Sequence, residues 1–92
     1  MDLDGFQQGI AETYLERDAA RGVPATMAWL AEELGELAQA VRKGTRAQQV
    51  HELGDVMAWL ASLANQLDLS LSEAASRYEQ GCPSCEATPC TC

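Results

Sequence analysis

Apolar side chains recur every three or four residues along most of this chain, which is the period of an amphipathic α-helix. The pattern predicts four helices, over residues 3–20, 24–44, 47–67 and 70–81. No segment shows the alternation of apolar and polar residues, enriched in β-branched side chains, that is typical of a strand. The sequence therefore predicts an all-α fold, a four-helix bundle.

The second and third predicted helices each carry an apolar stripe along one face. The side chains in these stripes are Met27, Leu30, Leu34, Leu37 and Val41 on one helix, and Val56, Leu60, Leu63 and Leu67 on the other. Between the helices, two basic residues precede Gly44, which is typical of a helix end followed by a short reversal. We therefore expect the two helices to run antiparallel.

A four-residue acidic pattern occurs once on each of these two helices, as Glu33-Leu34-Gly35-Glu36 and as Glu52-Leu53-Gly54-Asp55. Acids three residues apart lie about 60° apart around a helix, so each pair can direct both carboxylates at one ion. In an antiparallel hairpin Glu33 faces Asp55 and Glu36 faces Glu52. Acid pairs on helices are often ordinary solvated charge, but these border apolar stripes, where converging carboxylates require a cation. Repeated glycine at the same place also indicates close approach by a neighbouring helix, with a tolerated surface glycine as the alternative.

Length and charge limit the remaining possibilities. Ninety-two residues make one domain with a modest core, so we expect the chain to form a homodimer or a larger oligomer. The net charge of −8 argues against direct binding to a nucleic acid polymer. We see neither a basic region followed by an apolar run at the N-terminus nor an apolar segment of about 20 residues. These features predict a cytoplasmic protein without a membrane partner.

The composition changes abruptly after Gly81, which divides the chain into a helical domain, residues 1–81, and a Cys-rich tail, residues 82–92. The tail contains all four cysteines, Cys82, Cys85, Cys90 and Cys92, with the spacing C-x2-C-x4-C-x-C. In a cytosolic protein such a cluster favours a structural Zn2+ knot. The final C-x-C is tighter than in most zinc sites, so disulfides or an unliganded tail remain alternatives.

Two runs of the sequence resemble a known family: residues 29–38, WLAEELGELA, and residues 52–56, ELGDV. They are similar to the all-α MazG-like nucleotide pyrophosphohydrolases, whose signature is E-E-x-x-E followed by E-x-x-D. The similarity extends from about Tyr14 to Tyr78. The Cys-rich tail is not part of the general family pattern.

The resemblance implies a helical bundle that assembles as a dimer or tetramer and uses Mg2+ to hydrolyse nucleoside triphosphates to monophosphate and pyrophosphate. It implies that Glu33, Glu36, Glu52 and Asp55 are the metal ligands. Glu32, which matches the first acid of the motif, would orient or deprotonate the attacking water. The chemistry agrees with the acids, because hard Mg2+ or Mn2+ prefers carboxylate oxygens.

Pyrophosphate release also requires cations near the phosphates. Arg77 matches a basic position in the last helix of the family and is the first candidate, followed by Arg17, Arg21 and Lys43. For each of these residues an exposed surface charge or an ordinary ion pair is an equally good interpretation.

Two tryptophans flank the acidic motifs. Trp29 precedes Glu33 by four residues and Trp59 follows Asp55 by four, so both rings reach the same end of the carboxylate row. They could sandwich a nucleobase, although buried tryptophan is more often part of a core or an interface. His51 lies about 100° from the metal face, and we expect it to be exposed.

The sequence leaves two other functions open. One is a non-catalytic helical scaffold whose acids hold a structural ion and whose tail mediates assembly. The other is a phosphoribosyl-ATP pyrophosphohydrolase, which uses a similar bundle and similar metal chemistry. The fifth acid, Glu32, favours an enzyme, because a purely structural ion site has no use for an acid poised to act on water.

Overall fold

The computed structural model describes residues 1–92, and it is all-α, with no strands. Four helices follow one another along the chain: α1 (Leu3–Arg21), α2 (Val23–Lys43), α3 (Arg46–Gln66) and α4 (Leu71–Ser76). The predicted all-α class with four helices is confirmed, and the bounds of the first three helices differ from the predicted ones by at most one residue.

Local hydrogen bonds explain where the long helices begin and end. The Asp2 carboxylate accepts from the Gly5 N–H at 2.7 Å and caps α1. Gly22 adopts φ +89° between α1 and α2, a backbone conformation that favours glycine. Thr45 opens α3 with a capping box, in which its hydroxyl accepts from the Gln48 N–H and the Gln48 side chain accepts from the Thr45 N–H.

The fourth helix is shorter than predicted. The Ser70 hydroxyl accepts from the Glu73 N–H and caps the start of α4, but the helix ends at Ser76 rather than near Gly81. The Ser76 hydroxyl donates to the Glu73 carbonyl at 2.6 Å and so competes for the acceptor that the next helical N–H would use. The following N–H groups, beginning with that of Tyr78, bond to carbonyls three residues earlier and form tight turns instead.

The hairpin of α2 and α3 is the most extensive packing in the chain, and α1 packs across α3. The two hairpin helices are antiparallel, because the Ala40 carbonyl accepts from the Gln49 side chain near the turn while Trp29 stacks on Trp59 far from it. Polar side chains join α1 to α3. The Gln7 side chain donates to Asn65 Oδ1 at 3.0 Å, and the Gln66 side chain donates to the Asp18 carbonyl at 2.6 Å.

The fully buried residues are few and small, and large apolar side chains remain exposed on both hairpin helices. The exposed ones are Met27, Trp29, Leu34 and Val41 on α2, and Val50, Leu53, Met57 and Leu60 on α3, followed by Leu67 directly after α3. The predicted stripes are therefore only partly covered within one chain. No neighbouring atom lies within 4 Å of the position of a Cβ at Gly35 or Gly54, so the close helix approach predicted for these glycines is wrong within one chain.

None of the four helices combines the length and the apolar character needed to cross a membrane.

Candidate metal centre and active site

The α2–α3 hairpin brings the two acidic motifs together. Carboxylate oxygens of Glu33, Glu36 and Glu52 lie within 4.8 Å of one another, and an oxygen of Asp55 lies equally close to Glu52 and His51. The proximity of Glu36 and Glu52 across the two helices is as expected for acids that face each other. We call Glu33, Glu36, Glu52 and Asp55 the carboxylate cluster.

Two oxygens of the carboxylate cluster are buried and have no hydrogen-bond partner, Glu33 Oε2 and Glu52 Oε2. A buried acceptor without a partner is unfavourable, because it has lost its hydrogen bonds to water without gaining others. Two such oxygens on facing helices fit a divalent cation, since hard cations such as Mg2+ and Mn2+ bind carboxylate oxygens directly. The donor set of the carboxylate cluster therefore matches the predicted Mg2+ or Mn2+.

The electrostatic state of the carboxylate cluster agrees with this match. Desolvation, followed by the nearby charges of Glu36, Asp55 and Glu52, raises the pKa of Glu33 above its ordinary value of 4.5. Desolvation and the charge of Glu36 raise the pKa of Glu52 in the same way, while His51 opposes the rise. A bound cation would reverse both effects by favouring the ionised carboxylates.

Glu32 and His51 flank the carboxylate cluster. Glu32 is exposed and lies outside the group of converging oxygens, although its charge contributes to the raised pKa of Glu33. The His51 side chain is 71% exposed, as predicted, but its Nε2 lies 3.3 Å from Asp55 Oδ2. The sequence analysis missed this contact, which the i, i+4 spacing of the two residues on α3 would have indicated.

A cavity of about 240 Å³ extends from Asp55 between α1 and α3. Its other lining residues are Ala58, Trp59 and Ser62 from α3 and Tyr14, Arg17, Asp18 and Arg21 from α1. We call it the α1–α3 cavity. Two of the cations that the sequence ranked behind Arg77 therefore line a cavity that begins at the carboxylate cluster.

The sequence analysis did not single out Asp18, which is 1% exposed and lines the α1–α3 cavity. Its Oδ1 accepts from Arg21 Nη1 at 2.6 Å, and its Oδ2 is buried without a partner. The signal was present in the sequence. Phe6, Ile10 and Tyr14 are spaced four apart on α1, and Asp18 occupies the next position of that row, where a buried side chain is expected.

The two tryptophans lie close together, but not in the predicted arrangement. The rings of Trp29 and Trp59 stack on each other with centroids 5.8 Å apart and an interplanar angle of 15°. No space for a base remains between them, so the predicted sandwich is wrong. Arg21 Cζ lies 4.6 Å from the centroid of the Trp59 ring, and Trp59 lines the α1–α3 cavity.

The remaining predicted cations lie in different places. Lys43 lines a second cavity of about 510 Å³ together with Glu36 and Glu52, and we call it the Lys43 cavity. Arg77 lines neither of the two cavities, and its guanidinium lies 5.2 Å from the centroid of the Tyr78 ring. The structure thus places Lys43 beside the carboxylate cluster and does not bring Arg77 to it within one chain.

The tail brings its four cysteine sulfurs to within 4.8 Å of one another. All four are free thiols. Hydrogen bonds from Thr91, first its backbone N–H and then its side chain, lower the pKa of Cys85 to about 5, and the backbone N–H groups of Cys85 and Ser84 lower the pKa of Cys82. Thiolates bind metals, so the backbone of the tail favours the form that a metal requires.

Comparison with known proteins places this geometry in a family. Residues 21–80, well over half of the chain, match the MazG nucleotide pyrophosphohydrolase domain. The chain belongs to this family. The MazG domain contains the whole α2–α3 hairpin and hence the complete carboxylate cluster, whereas most of α1 and the cysteine tail lie outside the match.

A curated relative shows the same similarity. The uncharacterized protein YpjD of Bacillus subtilis (strain 168) is 46% identical over 63 residues, which cover 58% of this chain and 57% of that protein. The chain therefore spans little more than half the length of this relative. The MazG resemblance predicted from the two acidic motifs is confirmed.

Proposed function

We propose that this MazG domain protein is a Mg2+-dependent nucleoside triphosphate pyrophosphohydrolase, which produces a nucleoside monophosphate and pyrophosphate and removes non-canonical or surplus nucleotides. The observation that carries the proposal is the pair of buried, unpartnered oxygens on Glu33 and Glu52 within the carboxylate cluster. Membership of a nucleotide pyrophosphohydrolase family supports the same reaction class.

The four acids of the carboxylate cluster would hold the ion, Mg2+ or Mn2+. When bound, the ion would neutralise phosphate charge and make water nucleophilic near neutral pH. Glu32 remains outside the converging oxygens and exposed to solvent, so its carboxylate is free to accept a hydrogen bond from the attacking water. It would orient that water and accept its proton as a general base.

Two cavities offer places for the rest of the substrate. Lys43 lines the larger one beside Glu36 and Glu52, and its ammonium group would bind phosphate oxygens there. In the α1–α3 cavity the guanidinium groups of Arg17 and Arg21 would serve the same purpose. Arg77 remains a prediction from the resemblance, ranked behind these three because it lines neither cavity.

The nucleobase would occupy the far end of the α1–α3 cavity. Trp59 lines this cavity, and Asp18 Oδ2 is a buried acceptor that still lacks a donor. An ionised carboxylate only accepts hydrogen bonds, so it matches an amino group on a base and repels a carbonyl oxygen. We therefore propose that Asp18 favours cytosine, adenine or guanine over uracil and thymine.

Self-association is part of the proposal. Exposed apolar side chains at Leu34, Leu53 and Met57 leave α2 and α3 only partly covered, and a second copy of the chain would bury them. Leu53→Asp should then yield a monomer in analytical ultracentrifugation, while the unmodified chain sediments as a dimer or tetramer. A monomeric unmodified chain would contradict this part of the proposal.

The test is metal-dependent hydrolysis of a panel of canonical, deoxy and modified nucleoside triphosphates. We expect pyrophosphate release with Mg2+ or Mn2+, none with EDTA, and none from Glu36→Gln or Asp55→Asn. Glu16→Gln, which removes an exposed acid outside the carboxylate cluster, is the matched control and should be fully active. Folded protein that is inactive on the panel would favour phosphoribosyl-ATP as substrate or a non-catalytic scaffold. Phosphoribosyl-ATP is therefore added as a final substrate.

A further inference from the structure

We propose that the tail binds one Zn2+ through the thiolates of Cys82, Cys85, Cys90 and Cys92, in a closed structural site that is separate from the carboxylate cluster. The proposal concerns a second metal of a different chemical class, and it does not depend on the hydrolase reaction. It rests on the positions of the sulfurs, on the backbone around them and on the way the tail is held together.

The positions of the sulfurs match a tetrahedral zinc site. Zinc–sulfur bonds of about 2.3 Å in a tetrahedron place neighbouring sulfurs about 3.8 Å apart. The observed distances are 3.8 Å from Cys82 to Cys92, 3.9 Å from Cys85 to Cys90 and 3.3 Å from Cys90 to Cys92. A disulfide would require about 2.05 Å, and all four thiols are free.

The backbone of the tail folds around the sulfurs. The Glu86 N–H donates to the Cys82 carbonyl at 2.7 Å, and the Cys82 N–H donates to the Ala87 carbonyl at 3.1 Å. These bonds close a turn that contains the first C-x2-C pair. The Thr91 N–H donates to Cys85 Sγ at 3.4 Å, which adds a favourable dipole to a thiolate at that position.

Gly81 provides the close approach at which the tail leaves the helical domain. Its φ is +97°, and a Cβ at this position would lie 2.7 Å from the Ala87 carbonyl oxygen and would also overlap the Thr88 hydroxyl. A side chain cannot be placed there without moving the turn. Only glycine therefore fits at position 81, where the start of the turn lies against Ala87 and Thr88 at its end.

The tail has little other than the cysteines to hold it in this form. Residues 82–92 contain no helix or strand, and all of their hydrogen bonds lie within the tail. Eleven residues cannot bury a core of their own, and segments of this size usually require a metal or disulfides. Metal binding would supply the missing free energy.

The ligand chemistry identifies the metal class. Four soft thiolates in tetrahedral geometry select Zn2+ or iron, whereas the hard carboxylate oxygens on α2 and α3 select Mg2+ or Mn2+. We commit to Zn2+, for which four protein ligands complete the coordination and leave no position for a substrate.

The experiment uses the full chain, purified under reducing conditions without a chelator. Native mass spectrometry and elemental analysis should find one Zn2+ per chain. The double variant Cys85→Ser/Cys90→Ser should lose it, and Ser84→Ala, which alters a side chain between two ligands, should retain it. Circular dichroism of each variant reports whether the helical domain is still folded.

Replacement of the metal by Co2+ provides a second readout. We expect the intense thiolate-to-cobalt charge-transfer bands and the tetrahedral d–d bands in the unmodified chain, and their loss in the double variant. Three outcomes would each overturn the proposal. The unmodified protein could lack zinc and take up neither metal, it could contain iron in place of zinc, or the folded double variant could retain zinc. None of these measurements depends on hydrolytic activity, so failure of the proposed function would leave this test intact.

Discussion

The carboxylate cluster and the cysteine tail each gather four side chains of types that bind metals, but they do so by different means. The carboxylates are fixed by two long helices and the two-residue turn between them, so their convergence does not require a metal. The sulfurs are held by an irregular segment whose hydrogen bonds are all internal. A rigid helical scaffold can therefore hold mutually repelling carboxylates close together, whereas we expect a short irregular tail to require its metal in order to fold.

The largest expected effect is the loss of hydrolytic activity when the carboxylate cluster, but not the cysteine tail, is changed. Glu52→Gln removes a buried carboxylate oxygen that we propose as a metal ligand, and it should lower kcat/KM for hydrolysis by about 100-fold or more, the scale on which removal of a key electrostatic contact acts. Its zinc content should be unchanged. Conversely, Cys85→Ser/Cys90→Ser should lose zinc and keep most of its activity. An equal loss of hydrolytic activity in both variants would contradict the claim that the two clusters act independently.

The next effect concerns folding of the tail. An organomercurial thiol reagent, which displaces zinc from thiolates, should make residues 82–92 sensitive to protease and leave the helical circular dichroism almost unchanged. The tail contains no helical residue, so its loss removes no helical signal. Limited proteolysis with mass spectrometry locates the cleavage sites. Cleavage distributed over α1, α2 and α3 would show that the tail stabilises the whole chain.

A smaller effect should appear in base selectivity. Asp18→Asn replaces a buried acceptor by a group that can also donate, so the ratio of kcat/KM for CTP over UTP should fall by about 10-fold, which corresponds to roughly 1.4 kcal/mol. Glu16→Gln should leave the ratio unchanged. A purely structural role for Asp18 predicts an equal loss for both substrates and a lower melting temperature.

The smallest effect is on stability as a function of pH. The pKa of Glu52 is raised above 4.5 in the folded state, so the unfolded chain loses its proton first as pH rises. The metal-free protein should therefore lose stability between pH 4.5 and the raised pKa, and the loss should be smaller in Glu52→Gln. Differential scanning calorimetry of both proteins measures this. Saturating Mg2+ at neutral pH should restore the melting temperature of the unmodified protein. If the unmodified protein loses no more stability than Glu52→Gln as the pH rises through this range, the proposed repulsion at Glu52 is contradicted.

The sequence predicted the features that depend on local rules. Helical periodicity predicted α1 to α3, and the basic turn at Gly44 predicted the antiparallel hairpin. Because that turn is short, the register of Glu36 against Glu52 followed from counting residues on either side of it. The end of α4 was missed because a single side-chain hydrogen bond, from Ser76, decided it.

The features that depend on tertiary packing could not be predicted in the same way. The apolar row of α1 indicated that Asp18 faces the other helices, but its nearly complete burial depends on how α1 crosses α3. The register placed Trp29 and Trp59 at the same end of the acids, but whether the rings stack or separate depends on side-chain conformations. Arg77 was ranked first by family resemblance, and the early end of α4 left it beside Tyr78 instead.

The most direct test of the central claim, that the carboxylate cluster supports pyrophosphohydrolysis, is identification of the products by phosphorus NMR. The folded chain is incubated with Mg2+ and the nucleoside triphosphate that it cleaves fastest. We predict resonances of nucleoside monophosphate and pyrophosphate, absent with Glu52→Gln and present with Glu16→Gln. Nucleoside diphosphate with inorganic phosphate, or turnover that survives Glu52→Gln, would contradict the account.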